Sequence, residues 1–298
     1  MTVDNDGFGV IAVIGVGLIG GSLGLAVRKR GLVDRVIGIG RNEKKLTRAK
    51  DLGAIDEFTL DMAAGIAEAD LVVVCTPVLT IVPTIAQIAA HLKPGAVVTD
   101  VGSTKAEVVA GAEGALPGGV HFVGGHPMAG SEKSGVEAAK ADLFEDAAWV
   151  ITPSSKTNLK AMKKLTEFAR KLGARTLIMS PEEHDESVAA ISHVPHVLAA
   201  AALQVASELE QQRPGDVFSI AAGSFRDLTR VAASPPEIWR DISLSNREAI
   251  SRTLRRYEET LAQMRRIVDS GDEAAVEQLF KDAKELRDQL MKEKRGHS

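Results

Sequence analysis

The stretch Val10-Ile11-Ala12-Val13-Ile14-Gly15-Val16-Gly17-Leu18-Ile19-Gly20-Gly21-Ser22 decides the fold. Its apolar, mostly β-branched start predicts a strand over Val10–Ile14. Glycine then recurs in the G-x-G-x-x-G spacing, and a helical pattern follows over Ser22–Arg30. Between a strand and a helix the three glycines have separate uses: a tight turn, a close approach of backbone to a pyrophosphate, and close packing of helix on strand. The free N–H groups of the helix N-terminus then meet the anion. Gly15, Gly17, Leu18, Ile19 and Gly20 are therefore assigned to a dinucleotide cofactor. Without the flanking strand and helix, the same glycines would be an ordinary turn.

Working outward, short apolar runs alternate with helical ones. Strands are predicted at Arg35–Ile39, Asp70–Cys75, Ala96–Asp100, His121–Gly124, Trp149–Thr152 and Arg175–Met179, with helices at Lys44–Leu52, Leu79–His91 and Asn158–Leu172. This pattern describes an α/β, Rossmann-type parallel-sheet domain, assigned to residues 1–179. After Ser180-Pro181 the strand-like runs stop. Glu182–Ser207, Pro214–Ala233 and Pro236–Lys294 predict an all-α C-terminal domain over residues 180–298. On its long last segment Ile250, Leu254, Tyr257, Leu261 and Met264 form an apolar stripe. The stripe either joins the chain's own core or forms the seam of a homodimer.

Composition narrows the function classes. The 298 residues are 45% hydrophobic and 26% charged, which describes a globular chain rather than a disordered one. A net charge of −4 supplies no basic field for a phosphate backbone, so a nucleic-acid partner is not expected. The single cysteine, Cys75, forms no internal disulfide and no zinc set, which fits a reducing cytoplasm. Val10–Val27 carries no charge over 18 residues, long enough to be screened as a membrane span. Its five glycines and the acidic leader MTVDNDG speak against a span or a signal peptide.

The end of the second strand bears on the choice of cofactor. NAD-preferring folds place a carboxylate there, about twenty residues past the glycines, to accept from the ribose 2′-hydroxyl. This chain has Gly40-Arg41-Asn42 instead. A 2′-phosphate fits over Gly40, where the Arg41 guanidinium would pair it, so NADP is expected ahead of NAD. The alternative is that Arg41 is a solvated loop residue. Thr76, directly after another strand, completes the cofactor set.

Two further clusters follow strands, on the side of a parallel sheet where ligands bind. They are Asp100-Val101-Gly102-Ser103-Thr104-Lys105 and Gly124-Gly125-His126-Pro127-Met128-Ala129-Gly130-Ser131-Glu132. His126, held extended before proline, is a general-base candidate with an ordinary pKa near 6.5, and Ser103 a candidate to orient it. The plainer reading is that His126 only ends a strand. In the helical half, His193 and His196 lie three apart, which suits core or substrate-binding histidines better than a metal site. Arg226 and Arg230 flank Asp227. They form either a helix-surface salt bridge or an arginine site for a substrate carboxylate. Trp239 reads as core ahead of ligand contact.

The order GVGLIGGSLG, DVGSTK, GHPMAGSE, SHVPH, FRDLTRVA and PPEIWRDI resembles the prephenate and arogenate dehydrogenases of tyrosine biosynthesis along nearly the whole chain. The resemblance implies a cyclohexadiene substrate with a ring hydroxyl and two carboxylates, and its oxidative decarboxylation with hydride transfer to a nicotinamide. It implies His126 as the catalytic histidine at the ring hydroxyl and Ser103 as the partner that orients it and the nicotinamide. Ser131 would touch substrate, His196 and Arg230 would serve its carboxylates and the pocket's geometry, and His193 matches a histidine of the substrate set. It also implies a homodimer joined through the helical domain. Two other readings stand beside it. One is a 3-hydroxy acid dehydrogenase of the same architecture, which would want a lysine where this chain has His196. The other is a non-enzymatic NADP sensor.

Overall fold

The computed structural model describes residues 7–131 and 133–296, so Glu132 of the GHPMAGSE motif lies outside the described residues. Eight strands build one sheet: β1 (Val10–Ile14), β2 (Arg35–Ile39), β3 (Glu57–Thr59), β4 (Leu71–Val74), β5 (Val97–Asp100), β6 (His121–Pro127), β7 (Ala148–Thr152) and β8 (Arg175–Ile178). Their order is β3-β2-β1-β4-β5-β6-β7-β8. Neighbours from β3 to β6 are parallel. β7 runs antiparallel to β6 and β8 parallel to β7, so the sheet is parallel-dominated rather than wholly parallel.

Strand periodicity explains the two cores. Ile11 and Val13 of β1 face one side, against Leu23 and Val27 of α1 (Leu18–Lys29), Leu46 of α2 (Glu43–Asp51) and Leu165 and Phe168 of α6 (Leu159–Lys171). Ala12 and Ile14 face the other side, against Ile66 of α3 (Met62–Ile66), Ile81 and Ile85 of α4 (Val78–Ile88) and Val108 of α5 (Ala106–Ala115). Helices therefore cover both faces, which is why the central strands are apolar without alternation. Val10–Val27 is consumed by β1, the glycine turn and most of α1 rather than a membrane span.

Three elements have weak sequence signals. β3 is three residues at a sheet edge, and α3 is only five residues long. α5 carries Gly111 and Gly114 within an alanine-rich run, which disguises a helix. Gly111 is there for close packing, since a Cβ would lie 2.8 Å from Val82 Cγ1 of α4.

The predicted helix over Glu182–Ser207 is two helices, α7 (Pro181–Val188) and α8 (Val194–Gln212), joined by a π-helical turn over Ala189–His193. Pro195 has no N–H for the Ile191 carbonyl and its ring crowds that carbonyl, which widens the turn. α7 opens with a capping box between Ser180 and Glu183. By length and composition, the continuous helical run Pro181–Gln212 is apolar enough to cross a membrane.

The predicted helix over Pro214–Ala233 is mostly loop and 3-10 turn, with α9 confined to Gly223–Thr229. Gly215 takes φ +87, and the Glu210 carboxylate accepts from the backbone N–H groups of Gly215, Val217 and Phe218, which holds the chain out of a helix. α10 (Pro236–Ser245), α11 (Arg247–Ser270) and α12 (Glu273–Gly296) complete the chain. The molecule forms two compact units, Met1–Arg247 and Glu248–Ser298. The second consists of α11 beyond its first residue and α12. A left-handed Gly271 separates the two helices, and Asp272 caps α12. The apolar stripe of α11 starts buried at Ile250 and ends exposed at Leu261 and Met264.

Candidate active site

The glycine turn has the form that a dinucleotide requires. Gly15 takes φ +94, and a Cβ there would lie 2.8 Å from the Cys75 carbonyl oxygen. A Cβ at Gly20 would lie 2.4 Å from the Gly15 carbonyl oxygen, which fixes the close packing of α1 on the turn. At Gly17, by contrast, nothing lies within 4 Å, so the backbone is open to a ligand. α1 begins at Gly17 with no side-chain cap, leaving first-turn N–H groups such as those of Leu18 and Ile19 to an anion. The turn sits between β1 and β4, where the strand order reverses and α/β sheets bind ligands. Thr76 Oγ1, just past β4, is buried without a hydrogen-bond partner among the described residues. An orphaned hydroxyl beside an open glycine fits a bound dinucleotide. At the end of β2, Gly40 is in ordinary contact with Leu46 at 3.4 Å from a would-be Cβ, Arg41 is exposed, and Asn42 caps α2 by accepting from the Lys45 N–H.

His126 lies on β6, two strands along from β4, and is buried. Its Nδ1 is 2.8 Å from His184 Nε2 of α7, and His184 Nδ1 is 2.8 Å from Asp185 Oδ1. Asp185 also takes the backbone N–H groups of Lys105 and Ala106, at 2.7 and 2.9 Å, and so ties α7 to the start of α5. His184 is thus the hydrogen-bond partner of His126 Nδ1, while Ser103 sits in the bend after β5 without a hydrogen bond to His126 among the described residues. Burial pushes the His126 pKa well below its usual value, and His184, the Lys105 ammonium and His193 push it further. The expectation of a value near 6.5 is corrected accordingly. The Lys105 ammonium and the Asp100 carboxylate form a wholly buried ion pair. Asp100 also accepts from the Gly102 and Gly125 N–H groups, which links the β5 and β6 loops.

The π-turn and α8 bring the other histidines to the same region. His193 is buried, and its Nδ1 faces the Asn246 amide at 3.1 Å while that amide also donates to the Asp185 carbonyl. Burial lowers its pKa to about 4, with His184 and His196 adding to the shift and Asp185 opposing it. His196 donates from Nδ1 to the Ser192 carbonyl, which leaves Nε2 as the nitrogen without the proton, and its ring stacks on Trp239 at 3.5 Å between centroids. Trp239 is half-buried and packs edge-on against His193 as well. Burial lowers the His196 pKa, and the Arg230 charge contributes in the same direction, placing that guanidinium nearby. Arg230 is exposed in the turn after α9, and no ion pair through Asp227 holds it among the described residues. Ser131 is exposed in the loop after β6, where its hydroxyl accepts from the Lys133 N–H.

Thus His126 and His193 come together around His184 and Asp185, with His196 beside His193, while Ser103 and Ser131 lie on loops without hydrogen bonds to them among the described residues. Sequence reading overlooked His184, Asp185 and Asn246. His184 and Asp185 sit in Pro181-Glu182-Glu183-His184-Asp185-Glu186, whose acidity reads as a solvated face. The available signal was a histidine one turn into a strongly capped helix beside an acid.

Comparison with known proteins identifies the family. A family profile described as "Prephenate dehydrogenase, nucleotide-binding domain" matches residues 23–178, and one described as "Prephenate dehydrogenase, dimerization domain" matches residues 180–282. The chain is 40% identical to a prephenate dehydrogenase of Bacillus subtilis over 96% of its own length and 77% of the relative's. It is 35% identical to a cyclohexadienyl dehydrogenase of Zymomonas mobilis, covering 93% and 94% of the two chains. Among solved structures, the prephenate dehydrogenase of A. aeolicus in complex with hydroxyphenyl propionate and NAD+ superposes with a TM-score of 0.88 at 34% identity, over 95% of this chain and 98% of that one. The arogenate dehydrogenase of Synechocystis superposes with a TM-score of 0.81 at 31% identity, over 94% and 99%. With its glycine turn, buried histidine and two matching domain profiles, the chain belongs to the prephenate dehydrogenase family.

Proposed function

We propose that this protein oxidatively decarboxylates prephenate or arogenate, with NADP preferred over NAD, in tyrosine biosynthesis. The observation that carries the reading is His126, buried at the carboxyl end of β6 on the same sheet edge as the open glycine turn and kept neutral by its surroundings. A neutral imidazole there takes the proton of the ring hydroxyl as its carbon becomes a carbonyl carbon. A nicotinamide dinucleotide held at the Gly15–Gly20 turn would supply the acceptor for the hydride lost from that carbon. Loss of carbon dioxide from the opposite ring carbon sends its bond pair into the ring, and His126 returns the proton to the phenolic oxygen. Aromatisation makes the conversion effectively irreversible. Arg230, free of ion pairs among the described residues, supplies a cationic group for a substrate carboxylate, and the bare Nε2 of His196 an acceptor for a substrate hydroxyl or ammonium group. Arg41, exposed beyond Gly40, supports the preference for a 2′-phosphate.

The functional boundary falls at 179/180, with substrate contacts drawn largely from the helical part. The protein works as a cytoplasmic homodimer. α8 leaves Val205 and Leu209 exposed and α11 leaves Leu261 and Met264 exposed, apolar area that a second copy would cover. Turnover of prephenate and of arogenate, followed by reduced nicotinamide absorbance with each cofactor, tests the proposal. No reduction with either substrate overturns it.

A further inference from the structure

The hydrogen bonds around His126 determine which of its nitrogens carries the proton. Asp185 Oδ1 accepts from the Lys105 N–H and Oδ2 from the Ala106 N–H, so the carboxylate faces donors only. His184 Nδ1, 2.8 Å from Oδ1, therefore donates, and neutral His184 is left with a bare Nε2. That Nε2 lies 2.8 Å from His126 Nδ1 and accepts its proton. His126 Nε2 is then the nitrogen with a free lone pair. Both partners are buried, and Asn246 pins the Asp185 backbone from the other side by donating to its carbonyl at 2.8 Å. The reverse tautomers would need either a protonated Asp185 in contact with two backbone donors or a second proton on His184, and the assignment is made for His184 with a single proton.

We propose that His184, held by Asp185, is the positioning residue that fixes His126 as the Nδ1–H tautomer with Nε2 open to the substrate hydroxyl. The inference deepens the reading of His126 as the base and rests on it for its catalytic consequence. When His126 takes a proton at Nε2, its Nδ1–H bond to His184 strengthens, and the new charge faces the Asp185 carboxylate through one imidazole. His184 touches neither substrate nor cofactor in this scheme and acts only through His126.

Nitrogen-15 NMR of histidine-labelled protein reads the tautomer directly and needs no substrate. The native protein should show His126 protonated on Nδ1 and bare on Nε2. In His184→Leu, which lacks the acceptor, the Nε2–H form should appear, and kcat should fall about 10-fold, a part of the roughly 10²–10⁴ that a positioned base supplies. KM for substrate and cofactor should hardly move. His184→Gln, whose amide oxygen accepts from Nδ1–H, should restore the native tautomer and much of the lost kcat. A native His126 protonated on Nε2 overturns the proposal. So do Leu and Gln variants that lower the melting temperature alike while kcat and the tautomer stay native. A native tautomer as assigned, in a protein inactive on both substrates, would instead remove the proposed function and leave the positioning intact.

Discussion

The double variant Gly40→Asp with Arg41→Leu tests the cofactor preference where the structure permits the change. A Cβ at position 40 would meet Leu46 at 3.4 Å, an ordinary contact, and the backbone there does not take the left-handed conformation that demands glycine. Arg41 is exposed without an ion pair among the described residues, so its loss should alter stability by no more than about 0.5 kcal/mol. The kinetic effect is therefore separable from folding. One charge-assisted contact between Arg41 and a 2′-phosphate contributes roughly 1.5–3 kcal/mol, which is about 10- to 150-fold in kcat/KM in favour of NADP. The introduced carboxylate repels that phosphate and accepts from a 2′-hydroxyl, so the variant should reverse the order by a repulsive and an attractive change together. The assay is initial-rate kinetics with each cofactor at saturating substrate, with melting temperatures as the control for folding. Equal or better efficiency with NAD in the native enzyme would show that Arg41 points only to solvent, and would refute the reasoning.

His126→Asn should keep the fold and cofactor binding but lower kcat by about 10²–10⁴, as measured by steady-state turnover. Because burial, His184, Lys105 and His193 all lower the His126 pKa, the acid fall of native kcat/KM should lie below pH 6.5, with activity flat around neutrality. His193 links pH to stability. Its folded pKa of about 4 lies below the ordinary 6.5, so its contribution is complete above pH 6.5 and is lost as pH falls toward 4. Denaturant unfolding should find the protein about 2 kcal/mol less stable at pH 5 than at pH 7 from this residue, and His193→Gln should remove that share of the slope.

Local chemistry made much of this protein legible from its residues alone. Val10–Ile14 with its glycines predicted strand, turn and helix because the turn's own geometry demands them, as the left-handed backbone of Gly15 and the Gly15 carbonyl 2.4 Å from a would-be Gly20 Cβ show. The predicted helix Asn158–Leu172 matches α6 at both ends, where Asn158 caps its start and a left-handed Gly173 follows its end, since caps act within a few residues. His126 was marked out by the strand before it and the proline after it. Tertiary structure decided what depends on residues far apart in the chain. The reversal of β7 and the winding of α5 against Val82 come from packing partners that no local window contains. The same holds at the site. His184 is 58 residues from His126 and Asp185 is 80 from Lys105. Sequence could therefore name the histidine, but the atom that carries its proton is set by a chain of hydrogen bonds that exists only once α7 is packed against the sheet.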